Sequence, residues 1–163
     1  MLKSSDRLVL DKKDIAILEA LQDNAVISNI ELAQIIGMSA SATHGRVRAL
    51  EDGGYIEKRL TVLNRKLLGF DMLCLIHVSL QTHQIKQIEE FYKIIEDLDQ
   101  VLECYHVSGQ YDYVLKVALR DRTELRKFVL EQLTPIPYLA TVQTSLVFEE
   151  LKFTTSLPLK PAD

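Results

Sequence analysis

Apolar residues recur at helical spacing as far as about Leu60 and at strand spacing beyond it. Ile15, Leu18 and Leu21 stand three apart, and Asp11 is placed to cap a helix starting near Lys12. In "SNIE", Ser28 and Glu31 are in capping-box register, so each can satisfy a free backbone donor near the other. The second helix they open would turn Ile30, Ala33 and Ile36 to the core, and Gly37 supplies the left-handed residue that ends it. A third helix, capped by Ser39, runs to about Asp52, where Gly53 and Gly54 stop it. "YIEKRLTVL" follows with β-type residues and is predicted to be extended.

After "NRKLLGFD" the pattern changes. "MLCLIHVSL" (72–80) is the nearly continuous apolar run of a central strand. Ile85, Ile88, Phe91, Ile95 and Leu98 form one helical stripe. "VLECYHVS" and "YVLKVAL" read as strands joined by a tight turn at "GQYD". Residues 122–133 predict a second amphipathic helix with Leu125, Phe128, Val129 and Leu133 inward, broken by "TPIPY"; "ATVQTSLVFEELK" is the last strand. The order is βαββαβ, the split βαβ or ferredoxin-like plan. The fold class is therefore α+β: a winged helix-turn-helix unit over 1–60, a connector over 61–70, and a ferredoxin-like unit over 71–163. Two helices cover one sheet face, and the other face needs a partner, most economically a second copy of the chain.

Composition changes this picture little. With 47% hydrophobic and 26% charged residues the chain has globular composition, and no apolar run approaches the ~18 residues of a membrane span. "MLKSSDRLVLDKKD" lacks the apolar core of a signal peptide, so a cytoplasmic address is expected. The two cysteines, Cys74 and Cys104, fit reduced buried thiols, and no histidine pair has zinc-knuckle spacing, so no metal or other cofactor is expected.

Charge adds more. The net charge is −4, yet between Ser39 and Lys66 six bases (Arg46, Arg48, Lys58, Arg59, Arg65, Lys66) face three acids (Glu51, Asp52, Glu57), a local balance of +3. Such asymmetry suggests a basic working face. In the helical part Ala33 is the small residue that a helix crossing needs, and Gly37 is the turn. On the third helix Thr43, Val47 and Leu50 form the packed stripe, leaving Ser41, His44, Gly45 and Arg48 outward. Ser39 and Ser41 can reach phosphates, and His44, Arg46 and Arg48 can reach base edges or phosphates of double-stranded DNA. Lys58 and Arg59, on the extended segment, would act as a wing against the DNA backbone.

These residues carry a resemblance. The stretch from "LDKKDIAIL" through "SNIELAQIIGMSASATHGRVRALEDGGYI" resembles the DNA-binding domain of the leucine-responsive regulator (Lrp/AsnC) family, and "YHVSGQYDYVLKV" and "FEELK" resemble its second domain. The resemblance implies a transcription regulator rather than an enzyme, whose homodimers assemble to a tetramer or octamer. It also implies a small effector, usually an amino acid, bound between dimers. Gly109, Gln110, Tyr111 and Asp112 would face it, with Val142 and Thr144 from a neighbouring copy.

The chain departs from the family pattern in places. Gly45-Arg46 stands where an arginine pair is usual, Val26 where arginine is frequent, and Ala40 and Ala42 where prolines are common. A glycine in a helix interior costs ~1 kcal/mol relative to alanine. DNA binding weaker or more salt-sensitive than that of a typical member is expected, offset by the avidity of a multimer. Gln110 replaces a usual aspartate and Val142 a frequent threonine, which makes the pocket less polar. Leucine or methionine is the expected effector, with no effector at all as the alternative. Two other readings stay open: a siroheme-type tetrapyrrole decarboxylase of related fold using His106, and an effector-sensing assembly with weak DNA binding.

Overall fold

The structure is a computed structural model that describes residues 10–159. It divides into two compact units: one takes in the chain as far as Val62 together with the segment from Lys152, and the other spans Leu63–Leu151. The first boundary lies between Val62 and Leu63. The tail, expected to go with the second domain, goes instead with the first.

The first unit is built on α1 (Lys12–Asp23), α2 (Asn29–Ile36) and α3 (Ala40–Asp52). Each opens on the cap its sequence supplies. Asp11 accepts from the backbone of Lys13 and Asp14, Ser28 from Glu31, and Ser39 from Ala42. Gly37 takes the left-handed conformation (φ 64°) at the end of α2, and Lys13 Nζ donates to the carbonyl of Ile36 there. A cation at that position also meets the negative end of the helix dipole. The core comprises Ile17, Leu18, Leu32, Ile36, Val47 and Leu50. Ile30, expected inside, is 65% exposed, and Leu32 is buried in its place. At ~100° per residue, Ile30 lies about 110° round from the centre of the Leu32–Ala33–Ile36 stripe. The tail joins this unit through Gln22, whose side-chain amide donates to the carbonyl of Leu157 (3.2 Å) and accepts from its N–H (2.6 Å). Leu159 packs against the same core.

The second unit is a four-stranded antiparallel sheet in the order β2-β3-β1-β4, from β1 (Met72–Leu80), β2 (Val101–His106), β3 (Tyr113–Leu119) and β4 (Leu139–Leu146). Between the strands lie α4 (Ile85–Glu96) and α5 (Arg122–Lys127), which continues as a π-helical segment (Phe128–Leu133). This is the expected ferredoxin-like arrangement. Cys74, Ile76, Val78 and Leu80 of β1 and Tyr113, Leu115, Val117 and Leu119 of β3 form one core with Phe91, Ile95, Phe128 and Leu133 from the helical elements. Leu73, Leu75, His77 and Ser79 lie on the other face: Leu73 is in register with Ala118, Leu75 with Lys116 and Ser145, His77 with Val114 and Gln143, and Ser79 with Thr141.

Four details depart from the sequence reading. Ile85 is exposed at the start of α4 rather than packed. The helix after Asp121 changes to π-helical at Phe128. Residues five apart on an α-helix point about 140° from each other, so the wider turn lets Phe128 and Leu133 both face the core. β4 ends at Leu146, because Leu146 already pairs with Cys74 near the start of β1 and Val147 takes the next acceptor, Leu73. Phe148 and Leu151, expected on the strand, are exposed beyond it. Cys74 is buried as expected, whereas Cys104 is exposed.

Candidate functional site

The sequence-predicted DNA residues gather on and after α3. Thr43, Val47 and Leu50 are buried against α1 and α2, which turns Ser41, His44, Gly45 and Arg48 outward as the periodicity requires. Thr43 satisfies its own hydroxyl by donating to the carbonyl of Ser39 (3.0 Å), so its burial leaves no polar atom unpaired. At the helix start Ser39 Oγ lies 3.3 Å from both Ser41 Oγ and the Ala42 amide. Two hydroxyls and the free amides of the first turn thus share one exposed end, a chemistry suited to a phosphate.

His44 is held by a residue the sequence reading missed. Asn29 Nδ2 lies 3.1 Å from His44 Nδ1. With the amide donating, the neutral ring accepts at Nδ1 and carries its proton at Nε2, which presents a donor to the outside. Asn29 lies 15 residues away, and only the crossing of α2 and α3 brings the two together.

Arg46 requires a correction. Expected on the DNA face, it turns back to α1: its Nη1 donates to Asp11 Oδ2 (2.8 Å) and to Asp14 Oδ1 (2.7 Å). The cause is the capping box of α1, which sets two carboxylates side by side at a helix start that α3 crosses. The Asp14 N–H is the largest influence on Asp11 and holds it below the usual aspartate range; removal from water opposes it, and the Arg46 guanidinium and the Lys13 N–H add to the lowering. Arg46 therefore braces α3 against the start of α1.

The other cations divide. Arg48 is open to solvent, 3.8 Å from Asp52 on its own helix, and Lys58 is exposed. Arg59 is half-exposed, paired with Glu51 (3.0 Å) and reaching the carbonyl of Ala25. The segment that carries Lys58 and Arg59 forms no strand ladder among the described residues, so the expected wing is an irregular loop here. Arg65 and Lys66 belong to the other unit, which reduces the basic balance of the α3 region from +3 to +1.

In the second unit Gly109 and Gln110 are exposed at the turn between β2 and β3, with Gly109 at φ 129°. Asp112 braces the turn: it accepts from the Leu80 N–H (2.8 Å) and from the His83 ring (2.9 Å). Those two bonds, His83 first, hold its carboxyl below the usual range. Tyr111 donates to Gln143 Oε1 and its ring lies 5.1 Å from that of His77. Val142 packs on the core and Thr144 is exposed, both in register with β1 residues of the helix-covered face. His106 is exposed and stacks on Tyr113 at 4.8 Å. Among the described residues no group of His, Cys, Asp or Glu could hold a metal ion, and no helix is long and apolar enough to cross a membrane.

The family model of the winged helix-turn-helix DNA-binding domain matches residues 10–57, and that of the Lrp/AsnC ligand binding domain matches residues 73–157. The transcriptional regulator AzlB of Bacillus subtilis is 36% identical over 152 residues, covering 93% of this chain and 97% of the relative. The leucine-responsive regulatory protein of Haemophilus influenzae is 38% identical over 151 residues, covering 93% and 91%. A Neisseria meningitidis transcriptional regulator solved as its L-Met complex superposes with a TM-score of 0.88 at 32% identity, over 91% of this chain and 96% of that one. Relatives named as regulators along almost the whole length set aside the decarboxylase alternative. With a helix-turn-helix in one unit and a ligand-binding ferredoxin-like sheet in the other, the chain belongs to the Lrp/AsnC family of DNA-binding transcription regulators.

Proposed function

We propose that this regulator works as homodimers that assemble further, to a tetramer or an octamer, and that α3 of each copy lies in a major groove of double-stranded DNA. Two such helices in a dimer would meet successive grooves ~34 Å apart. Ser39 and Ser41 reach phosphates, His44 and Arg48 reach base edges or phosphates, and Lys58 approaches the backbone from the following loop, where Arg59 stays on Glu51. The observation that carries this reading is the division of α3 into a buried stripe and an opposite outward face bearing Ser41, His44 and Arg48. Its work on genomic DNA gives the protein a cytoplasmic address.

The effector in this reading is an apolar amino acid, leucine or methionine, held by Gly109, Gln110, Tyr111 and Asp112 with Val142 and Thr144 of a neighbouring copy. The L-Met complex of the Neisseria relative and the leucine-responsive name of the Haemophilus relative support that class. An uncharged glutamine at position 110 and a methyl-bearing valine at position 142 favour a ligand recognised by apolar contact. The effector shifts assembly by binding one arrangement of dimers more tightly than another. A second reading, an effector-sensing assembly that binds DNA weakly, gains from the internal pairing of Arg46 and Arg59.

Calorimetry across the amino acids, combined with footprinting of genomic fragments with and without each, tests both parts. Heat from leucine or methionine and a footprint that changes with it are expected. Preference for lysine or aspartate, or no heat from any amino acid, overturns the effector assignment. No footprint on any fragment overturns the placement of α3.

A further inference from the structure

Gly45 stands in the interior of α3, where glycine is the least favoured residue apart from proline. Two ordinary reasons for a glycine are absent here. Gly37, Gly54, Gly69 and Gly109 take positive φ, and Gly45 does not. A Cβ on Gly53 would come within 3.0 Å of the Ala49 carbonyl oxygen, whereas a Cβ on Gly45 would meet nothing within 4 Å. Neither backbone conformation nor packing within the described residues accounts for the missing side chain.

Its position points outward. At ~100° per residue, Gly45 lies almost diametrically opposite the Thr43–Val47–Leu50 stripe, on the crest of the helix. Ser41 lies one turn before it, Arg48 about one turn after it, and His44 beside it, its Nδ1 3.1 Å from Asn29 Nδ2. Exposed Ala42 and Ala49 flank the same stretch. The crest therefore has a notch with a nonpolar floor and a polar rim. The backbone amides and carbonyls below it are engaged in the helix, so a polar base group pressed there would lose hydrogen bonds without replacement. The nonpolar group that projects from the major-groove edge of DNA is the C5-methyl of thymine.

We propose that Gly45 is a specificity-determining residue whose notch seats the C5-methyl group of one thymine per half-site, an inference that rests on α3 lying in the major groove. The test uses the full chain and a DNA fragment recovered by footprinting. Each thymine is replaced in turn by deoxyuridine, which keeps the base pair and removes the methyl. One position per half-site is expected to lose about fourfold in affinity, the size set by burying one methyl. In the G45A variant the added Cβ fills the notch. It should weaken binding to the thymine fragment, its loss should not add to that of the deoxyuridine at the same position, and it should melt roughly 4–8 °C higher.

The proposal is overturned if no single replacement costs the wild type more than twofold. It is equally overturned if G45A keeps full affinity and full thymine discrimination, or if it loses affinity equally on every sequence. A wild-type chain that footprints no fragment overturns the placement of α3 itself, and the notch with it. The melting measurement separates a binding defect from a folding defect.

Discussion

Substituting Arg46 by alanine separates a brace from a DNA contact. The guanidinium contacts two carboxylates, and they differ in environment: the Asp14 side chain is 7% exposed and that of Arg46 is 35% exposed. Removing one partner of a fully buried ion pair costs about 3–5 kcal/mol, and an exposed pair contributes about 0–1 kcal/mol. Here one partner is buried and the other is partly in water. Asp14 also keeps the Asp11 N–H, 3.0 Å from Oδ2, when the arginine is gone. The Asp14 arm therefore contributes roughly 1–2 kcal/mol, with the solvated Asp11 arm left out of the sum. On a unit of this size that lowers the helix-turn-helix melting transition by roughly 5–10 °C in scanning calorimetry. A cycle of R46A, D14N and the double variant should return a coupling of about 1 kcal/mol or more.

DNA binding supplies the contrast. A phosphate contact contributes ~0.9 to the slope of log affinity against log salt. R46A should leave that slope unchanged, while R48A should lower it by about one and weaken binding across sequences. The reasoning fails if R46A melts like the wild type and its salt slope falls by about one. The guanidinium would then lie on DNA and not on α1.

Three further outcomes are expected. Asp11 and Glu31 both have carboxyls held below their usual range, Asp11 chiefly by the Asp14 N–H and Glu31 chiefly by the Ser28 hydroxyl. Their stabilisation is complete above the ordinary carboxylate pKa of ~4 and disappears as pH falls through the lower folded values, so melting of the first unit should hold between about pH 7 and 5 and decline below about 4. A decline beginning on the alkaline side would contradict it. Gly37→Ala forces a side chain into the left-handed region at φ 64° and should cost about 1–2 kcal/mol in denaturant titration, with Gly37→Asn costing less. Asp112→Ala leaves the N–H of buried Leu80 without its acceptor and should lower the second unit's stability by about 1–2 kcal/mol; an unchanged urea midpoint would remove Asp112 from the turn's support.

What the sequence discloses follows the range of the interaction. The starts of α1, α2 and α3 are legible because their caps lie within three residues of the amides they satisfy. The strand order is legible because each strand carries its own period and its own turn. The fate of Arg46 is not: its partners lie 32 and 35 residues away and are reached only through the crossing of α3 on α1. The capping-box pair at Asp11 and Asp14 was the available signal, since two adjacent carboxylates at a helix start call for a cation. Ile30 misleads because five apolar residues (Ile30, Leu32, Ala33, Ile35 and Ile36) in an eight-residue helix allow two stripes, and only the neighbouring helices select one. The π-helical segment depends on Phe128 and Leu133 both reaching the sheet, which no local pattern prescribes.

The same distinction bears on how one copy can hold DNA. The basic window that suggested a nucleic-acid face drew on Arg65 and Lys66, which lie in the other unit, and on Arg46, which is held by two aspartates. Arg59 is paired with Glu51. On and just after α3 that leaves Arg48 and Lys58 as the readily available cations, with the Ser39 end of the helix as a neutral phosphate seat. Two phosphate contacts give a salt slope of about −2 for one copy and about −4 for a dimer with both helices engaged. Electrostatics of that size cannot hold a single copy tightly at physiological salt; in the proposed dimer a second, tethered α3 would supply the rest through effective concentration. A titration of the assembled protein in rising salt measures this directly. A slope near −4 fits two engaged helices with Arg46 and Arg59 kept inside. A slope near −7 would mean that those arginines abandon their carboxylates on meeting DNA, and the brace would then be a feature of the free protein alone.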